Sequence, residues 1–127
     1  MIMTVFSIGH SVRPFLEFIE RLQEHNIEVL VDVRSHPQSR FCPQYNQRAL
    51  SDGLTKVGIT YLFKGENLGG KGENVHFNET IGELTSRAKR GEVLCLMCSE
   101  KDPAKCHRSQ VLAPLFVAQG LGVEHIL

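Results

Sequence analysis

Residues 28–33 read Glu-Val-Leu-Val-Asp-Val, and the fold follows from how that run is read. Val29, Leu30, Val31 and Val33 are apolar and crowd together without alternating with polar neighbours. A strand with one face in water alternates every second residue. A strand covered on both faces does not, and such strands belong to parallel sheets flanked by helices. Glu28 opens the run, and a second charged side chain, Asp32, stands near its end, where the chain leaves the sheet.

Working outward, residues 3–8 (Met-Thr-Val-Phe-Ser-Ile) form a second apolar, β-rich run. Between the two, Pro14 opens a segment with Phe15, Phe18, Ile19 and Leu22 at helical spacing, and proline is at home in a first helical turn. Downstream, residues 46–57 predict a helix closed by Gly58, and residues 59–62 a third strand. A helix over 78–90 carries Arg87, Lys89 and Arg90 at the negative end of its dipole, followed by Gly91. Residues 93–97 predict strand four, about 104–119 helix four, and 123–126 strand five. Strand–helix alternation throughout predicts a single three-layer α/β/α domain over residues 1–127 with a mainly parallel five-stranded sheet.

The totals narrow the function. A chain of 127 residues fits one domain with a real core. Fourteen basic and fourteen acidic side chains cancel, which argues against a nucleic-acid binder charged over its whole surface and leaves room for a local basic pocket. No apolar run approaches the roughly 20 residues that span a bilayer, so no membrane partner is expected. The opening MIMTVFSIGHS lacks a basic leader, which points to the cytoplasm. There, Cys42, Cys95, Cys98 and Cys106 suit metal binding, catalysis or plain burial better than disulfides.

The polar residues are unevenly placed. Gly9, His10 and Ser11 follow strand one, and Arg34, Ser35, His36, Ser39 and Arg40 follow strand two. Lys64, Glu66, Gly69, Gly70 and Lys71 follow strand three. Residues 98–108 (Cys-Ser-Glu-Lys-Asp-Pro-Ala-Lys-Cys-His-Arg) follow strand four. In a parallel sheet all of these lie at the carboxyl edge, where open α/β folds bind ligands. The opposite connections, HNIE, KVGIT, KRGE and QGLG, are chemically plain.

A helix starting near Pro103 or Ala104 would aim unpaired amides at this edge, with Arg108 one turn in, and together they would cradle an anion. Cys98 and Arg108 lie too far apart, with no glycine between, for a tyrosine-phosphatase loop. Zinc would need Cys98, Cys106 and His107 with His10, His36 or Cys42. However, Cys95 and Cys98 point to opposite strand faces, and Cys106 and His107 diverge by about 100° on a helix. No metal and no cofactor are therefore expected. Asp32 is either an ion pair that fixes its loop or a carboxylate facing the pocket, and Glu100 is a second carboxylate. His10 suits either acid–base work or loop orientation. Residues 36–48 interleave Arg40 and Arg48 with Phe41 and Tyr45, which suits a nucleobase stacked beside phosphate, while core packing suits Phe41 equally well. The glycine-rich segment 64–77 reads as a lid or binding loop. The candidate catalytic residues are Asp32, Glu100 and His10. The candidate anion-binding residues are Arg34, Ser35, Arg40, Lys71, His107 and Arg108, and Ser11, Tyr45, Gly69 and Gly70 are candidates for substrate contact.

The ordered set IGHS (8–11), VDVRSHPQSR (31–40), GITY (58–61), LGGK (68–71), LMCSEKDPAKCHR (96–108) and VEHI (123–126) resembles the domain-of-unknown-function 488 family across nearly the whole chain. The resemblance implies a Rossmann-like domain. It also implies that His10, Ser11, Asp32, Arg34, Ser35, Pro37, Ser39, Arg40, Leu68, Gly69, Gly70, Cys98, Glu100, Cys106, His107 and Arg108 are the family's signature positions. Members are linked to nucleotide or nucleic-acid processing, including base removal from modified DNA. The expectation is then an enzyme, a hydrolase of a sugar–base (N-glycosidic) bond, with a nucleotide or nucleic acid as its anionic partner. The rivals are a non-catalytic module that binds a phosphorylated ligand and a zinc- or thiol-dependent enzyme.

Overall fold

In a computed structural model of the chain, residues 3–69 and 74–127 are described, with the main chain alone at 108 and 109. Val29–Asp32 is a strand, β2, and all four of its residues are buried. The other strands are β1 (Thr4–Gly9), β3 (Thr60–Phe63), β4 (Leu94–Cys98) and β5 (Gly122–Ile126). The helices are α1 (Phe15–Glu24), α2 (Gln47–Lys56), α3 (Gly65–Leu68), α4 (Phe77–Lys89) and α5 (Ala113–Ala118). The strands form one parallel sheet in the order β3-β2-β4-β1-β5, a Rossmann-like α/β arrangement.

The unbroken apolar run of β2 is explained by its two neighbouring layers. Leu30 points to one face, where Phe18, Ile19 and Leu22 of α1 and Leu50 and Leu54 of α2 cover the sheet with Ile8, Cys95 and Met97. Val29 and Val31 point to the other, against Ile81, Leu84 and Ala88 of α4 and Phe116 of α5. Cys95 and Cys98 fall in opposite layers, as an odd separation on a strand requires.

The chain winds from β1 through β2 to β3 at one edge, then returns through β4 to β5 at the other. The connections leaving the neighbouring strands β2 and β4 therefore part to opposite sides. Such a switch point opens a crevice at the carboxyl edge.

Helix four differs from its expected course over 104–119. Pro103–Lys105 is a short 3-10 turn, Cys106 is extended (φ −122°, ψ 140°), and Arg108–Leu112 is a π-helical turn that leads into α5. Pro114 supplies a reason. It has no N–H to give to the carbonyl four residues earlier, so a regular α-helix cannot run through this stretch, and the wider turn accommodates the defect. The expected row of bare amides is corrected with it: Asp102 caps the short turn, its Oδ1 accepting the Ala104 amide at 3.0 Å. The segment after β3 also contains structure, the short helix α3.

The carboxyl-edge loops touch main chain to main chain. A Cβ placed on Gly9 would lie 1.8 Å from the Glu100 carbonyl oxygen, and one on Gly65 would lie 1.8 Å from that of Arg34. Only glycine lets these loops close. Gly9→Ala must therefore push the loops after β1 and β4 apart. The expected result is a loss of about 2–3 kcal/mol, seen as a lower urea midpoint with an unchanged slope.

Candidate functional site

Where the connections after β2 and β4 part, there is an open cleft of about 350 Å³. Arg34, Ser35 and His36 line it from the β2 side, and Cys98, Ser99, Glu100, Lys105, Cys106 and His107 from the β4 side. Main-chain hydrogen bonds carry the sheet ladder into these loops: Val33 N–H to the Met97 carbonyl (3.0 Å), His10 to Cys98 (2.9 Å), Ser11 to Ser99 (3.0 Å) and Lys64 to Asp32 (2.8 Å).

Behind the cleft lies a buried polar network. Asp32 is 0% exposed and Arg34 is 5% exposed. Asp32 Oδ1 accepts from the Arg34 amide (3.1 Å) and from its Nε (3.0 Å), while Oδ2 accepts from Arg34 Nη2 (2.8 Å) and the Tyr61 hydroxyl (2.6 Å). With four donors on two oxygens, the carboxylate is fully engaged, and of the two sequence readings the loop-fixing ion pair is the one the geometry matches. Burial, then the hydrogen bond to Asp32 and after it the Asp32 charge, push the Tyr61 phenol far above its ordinary range, so it remains a donor. Arg34 Nη1, the one guanidinium nitrogen not on the carboxylate, lies 3.4 Å from His10 Nε2.

His10 is itself buried. Its Nδ1–H donates to the Ser11 carbonyl at 2.8 Å, since a carbonyl only accepts, and this leaves Nε2 as the acceptor facing Arg34. Burial lowers the His10 pKa most; the hydrogen bond to the Ser11 carbonyl pulls it back in part, and the smaller effects of Arg34 (downward) and Asp32 (upward) follow. The imidazole is neutral at pH 7 and stacks on Tyr45 with centroids 4.4 Å apart. The Tyr45 hydroxyl donates to the Arg13 carbonyl at 2.6 Å.

Of the candidate residues, the structure brings Arg34, Ser35, Glu100 and His107 together in the cleft. Glu100 Oε1 also accepts the Asp102 amide (3.0 Å), and His107 Nε2 donates to the Leu68 carbonyl (2.8 Å). Asp32 and His10 stand behind Arg34. Tyr45, a candidate for substrate contact, is fully buried and serves instead as the shelf under His10. Ser11 contributes its main chain, held at a positive φ of 49°, and Gly69 lies against the Ser35 side chain. Arg40 is exposed on the loop outside the cleft lining, and Phe41 is 89% exposed, which removes the core-packing reading for that ring. Gly70 and Lys71 lie outside the described residues, as does the Arg108 side chain.

Tyr61 was not foreseen in the site, and His36, Cys98, Ser99, Lys105 and Cys106, which line the cleft, were placed at this edge by the sequence but were not among its candidate catalytic, anion-binding or substrate-contact residues. Tyr61 reads as an ordinary strand residue. Its role depends on β3 pairing beside β2 with Tyr61 opposite Leu30, two residues before Asp32 on the same face. Among the described residues no group of three or more His, Cys, Asp or Glu side chains is arranged to hold a metal ion, and no helix is long and apolar enough to cross a membrane.

Two outcomes follow from the network. Asp32→Asn leaves the Arg34 charge buried without its partner and should cost about 3–5 kcal/mol at pH 7. Tyr61→Phe removes one donor of four and should cost roughly 1.5–3 kcal/mol, both measured by denaturant unfolding. The second outcome concerns pH. Unfolded His10 takes up a proton near 6.5, whereas folded His10 does so only at lower pH. The unfolded state therefore binds more protons below 6.5, so stability is full above that value and falls as pH drops through it. The slope from this one group is at most about 1.4 kcal/mol per pH unit, and His10→Asn should remove its share from the measured profile.

Comparison with known proteins agrees with the motif pattern. A family model described as Domain of unknown function DUF488 matches residues 15–77 and 73–115. No curated protein matches the chain. The match takes in the loops after β2 and β4, and with them every residue that lines the cleft. The chain belongs to the DUF488 family.

Proposed function

We propose that the cleft holds the phosphate of a nucleotide or nucleic acid and that the protein hydrolyses a sugar–base bond of that ligand. The observation that carries this reading is Arg34, a guanidinium fixed by a buried carboxylate at the wall of a cleft on the switch point. Its Nε and Nη2 edge is taken by Asp32, so what it brings to the cleft is its positive charge and the N–H groups left over. A group already locked in place loses little further freedom when an oxyanion meets it. Lys105 adds a second cation to the same cleft, and the imidazole of His36 adds polar nitrogens suited to phosphate oxygens.

Glu100 is the carboxylate that lines the cleft among the described residues. Asp32 has its oxygens filled, so in this reading it positions Arg34, and Glu100 takes the chemical role. A carboxylate there would stabilise the positive charge that develops on the sugar as the base departs, or would activate water. His10, neutral and held behind Arg34, sets the orientation of that guanidinium.

The test separates binding from chemistry. The purified protein is offered nucleotides and oligonucleotides bearing modified bases, and released base is measured beside ligand affinity. Glu100→Gln should lower turnover on the order of 10²–10⁴-fold while leaving affinity within about twofold. Arg34→Lys, which loses the planar fork, should weaken binding by about tenfold. Ligand binding with no base released from any substrate would overturn the hydrolase reading in favour of a phosphate-binding module.

A further inference from the structure

We infer that Cys106 and His107 form a thiol–imidazole pair, and that Cys106 is a nucleophile toward carbon electrophiles entering the cleft. Cys106 Sγ lies 3.8 Å from His107 Nδ1, within reach of a thiol proton. The opposite ring nitrogen, Nε2, is 2.8 Å from the Leu68 carbonyl. A carbonyl only accepts, so Nε2 carries a hydrogen, and in the neutral ring Nδ1 is the basic nitrogen turned to the thiol. Nucleophile, base and a group that orients the base thus occur in sequence, the arrangement by which thiols are activated.

The other cysteines are placed differently. Cys42 directs its thiol to the Ser11 carbonyl (3.5 Å), Cys95 to that of Leu96 (3.7 Å) and Cys98 to that of Glu100 (3.6 Å). The imidazole beside Cys106 can take a thiol proton away. The backbone explains the difference. Cys106 is the extended residue between the 3-10 turn and the π-helical turn, and α3 supplies the carbonyl that tethers the ring of the residue after it. Both partners line the cleft.

In the reaction, the Cys106 S–H proton passes to His107 Nδ1. The sulfur forms an S–C bond as the carbon–leaving-group bond breaks, and the leaving group departs with the electron pair. The class of ligand is a carbon electrophile with a leaving group. Preference for an anionic one, next to Arg34 and Lys105, rests on the anion-binding reading above.

The test is limited alkylation of the native protein at pH 7, with modified peptides mapped by mass. Iodoacetamide reports on the thiol alone, the sulfur displacing iodide, while iodoacetate adds a carboxylate to the same reagent. Cys106 should be the first residue labelled, and His107→Gln should slow that labelling at least tenfold with the circular dichroism unchanged. Labelling of Cys42 or Cys98 ahead of Cys106 in the wild-type protein overturns the proposal, and this holds even where the His107 variant does not fold. A folded His107→Gln protein that reacts at the wild-type rate also overturns it. Inorganic phosphate should protect Cys106, and iodoacetate should gain on iodoacetamide relative to free cysteine. If both of these effects are missing while Cys106 still reacts first, the pair stands and the anion-binding reading fails.

Discussion

Everything around the cleft depends on a carboxylate and a guanidinium two residues apart, both sealed from water. Desolvating two charges costs several kcal/mol per ion, and close contact alone recovers little more than that. The Asp32–Arg34 pair is tolerable because its geometry is complete, with the aspartate taking three bonds from Arg34 and a fourth from Tyr61. What the arrangement supplies is orientation. The guanidinium plane is fixed, its remaining nitrogen is matched to a neutral imidazole, and that imidazole lies flat on an aromatic ring. In a low-dielectric setting such a network holds one geometry, because every alternative leaves a buried polar group unmet.

The two walls of the cleft are built by different means. On the β2 side, the ion pair and the close approach of Gly65 to the Arg34 carbonyl fix the main chain from both directions. On the β4 side, Gly9 meets the Glu100 carbonyl, but beyond it the chain passes through a capped 3-10 turn, one extended residue and a π-helical turn. Wide turns of this kind often occur at functional sites, where they place side chains that a regular helix would turn elsewhere. The pairing of Cys106 with His107 is one such placement. On a uniform helix those neighbours would diverge.

How much was legible in the sequence follows from the range over which each signal acts. The unbroken run of β2 and the helical spacing of Phe15, Phe18, Ile19 and Leu22 are local patterns set by two-sided burial, and both survive folding within a residue or two. The gathering of Arg34, Ser35, Glu100 and His107 was legible because parallel topology puts every strand's exit on one side. Helix four was read as continuous over 104–119 without weighing Pro114, whose missing N–H forbids the regular helix. Tyr45 was read as a candidate for substrate contact, and only the stacking on His10 and the bond from its hydroxyl to the Arg13 carbonyl reveal why the ring is buried there. The donor from Tyr61 to Asp32 was out of reach, since it requires knowing which strands adjoin and in what register.

The strand order also bears on how the molecule comes to be assembled. β1 is made early, yet both of its partners, β4 and β5, come from the far end of the chain. Ser7 on β1 and His125 on β5 are in contact across a separation of 118 positions. Loop closure over such distances must precede the pairing it rewards, which slows folding relative to chains built from local contacts. During synthesis, β2 and β3 can find one another while β1 waits, an apolar strand without neighbours on either side. The carboxyl-edge cleft, whose walls come from the loops after the second and fourth strands, therefore cannot close until the loop after β4 has been made.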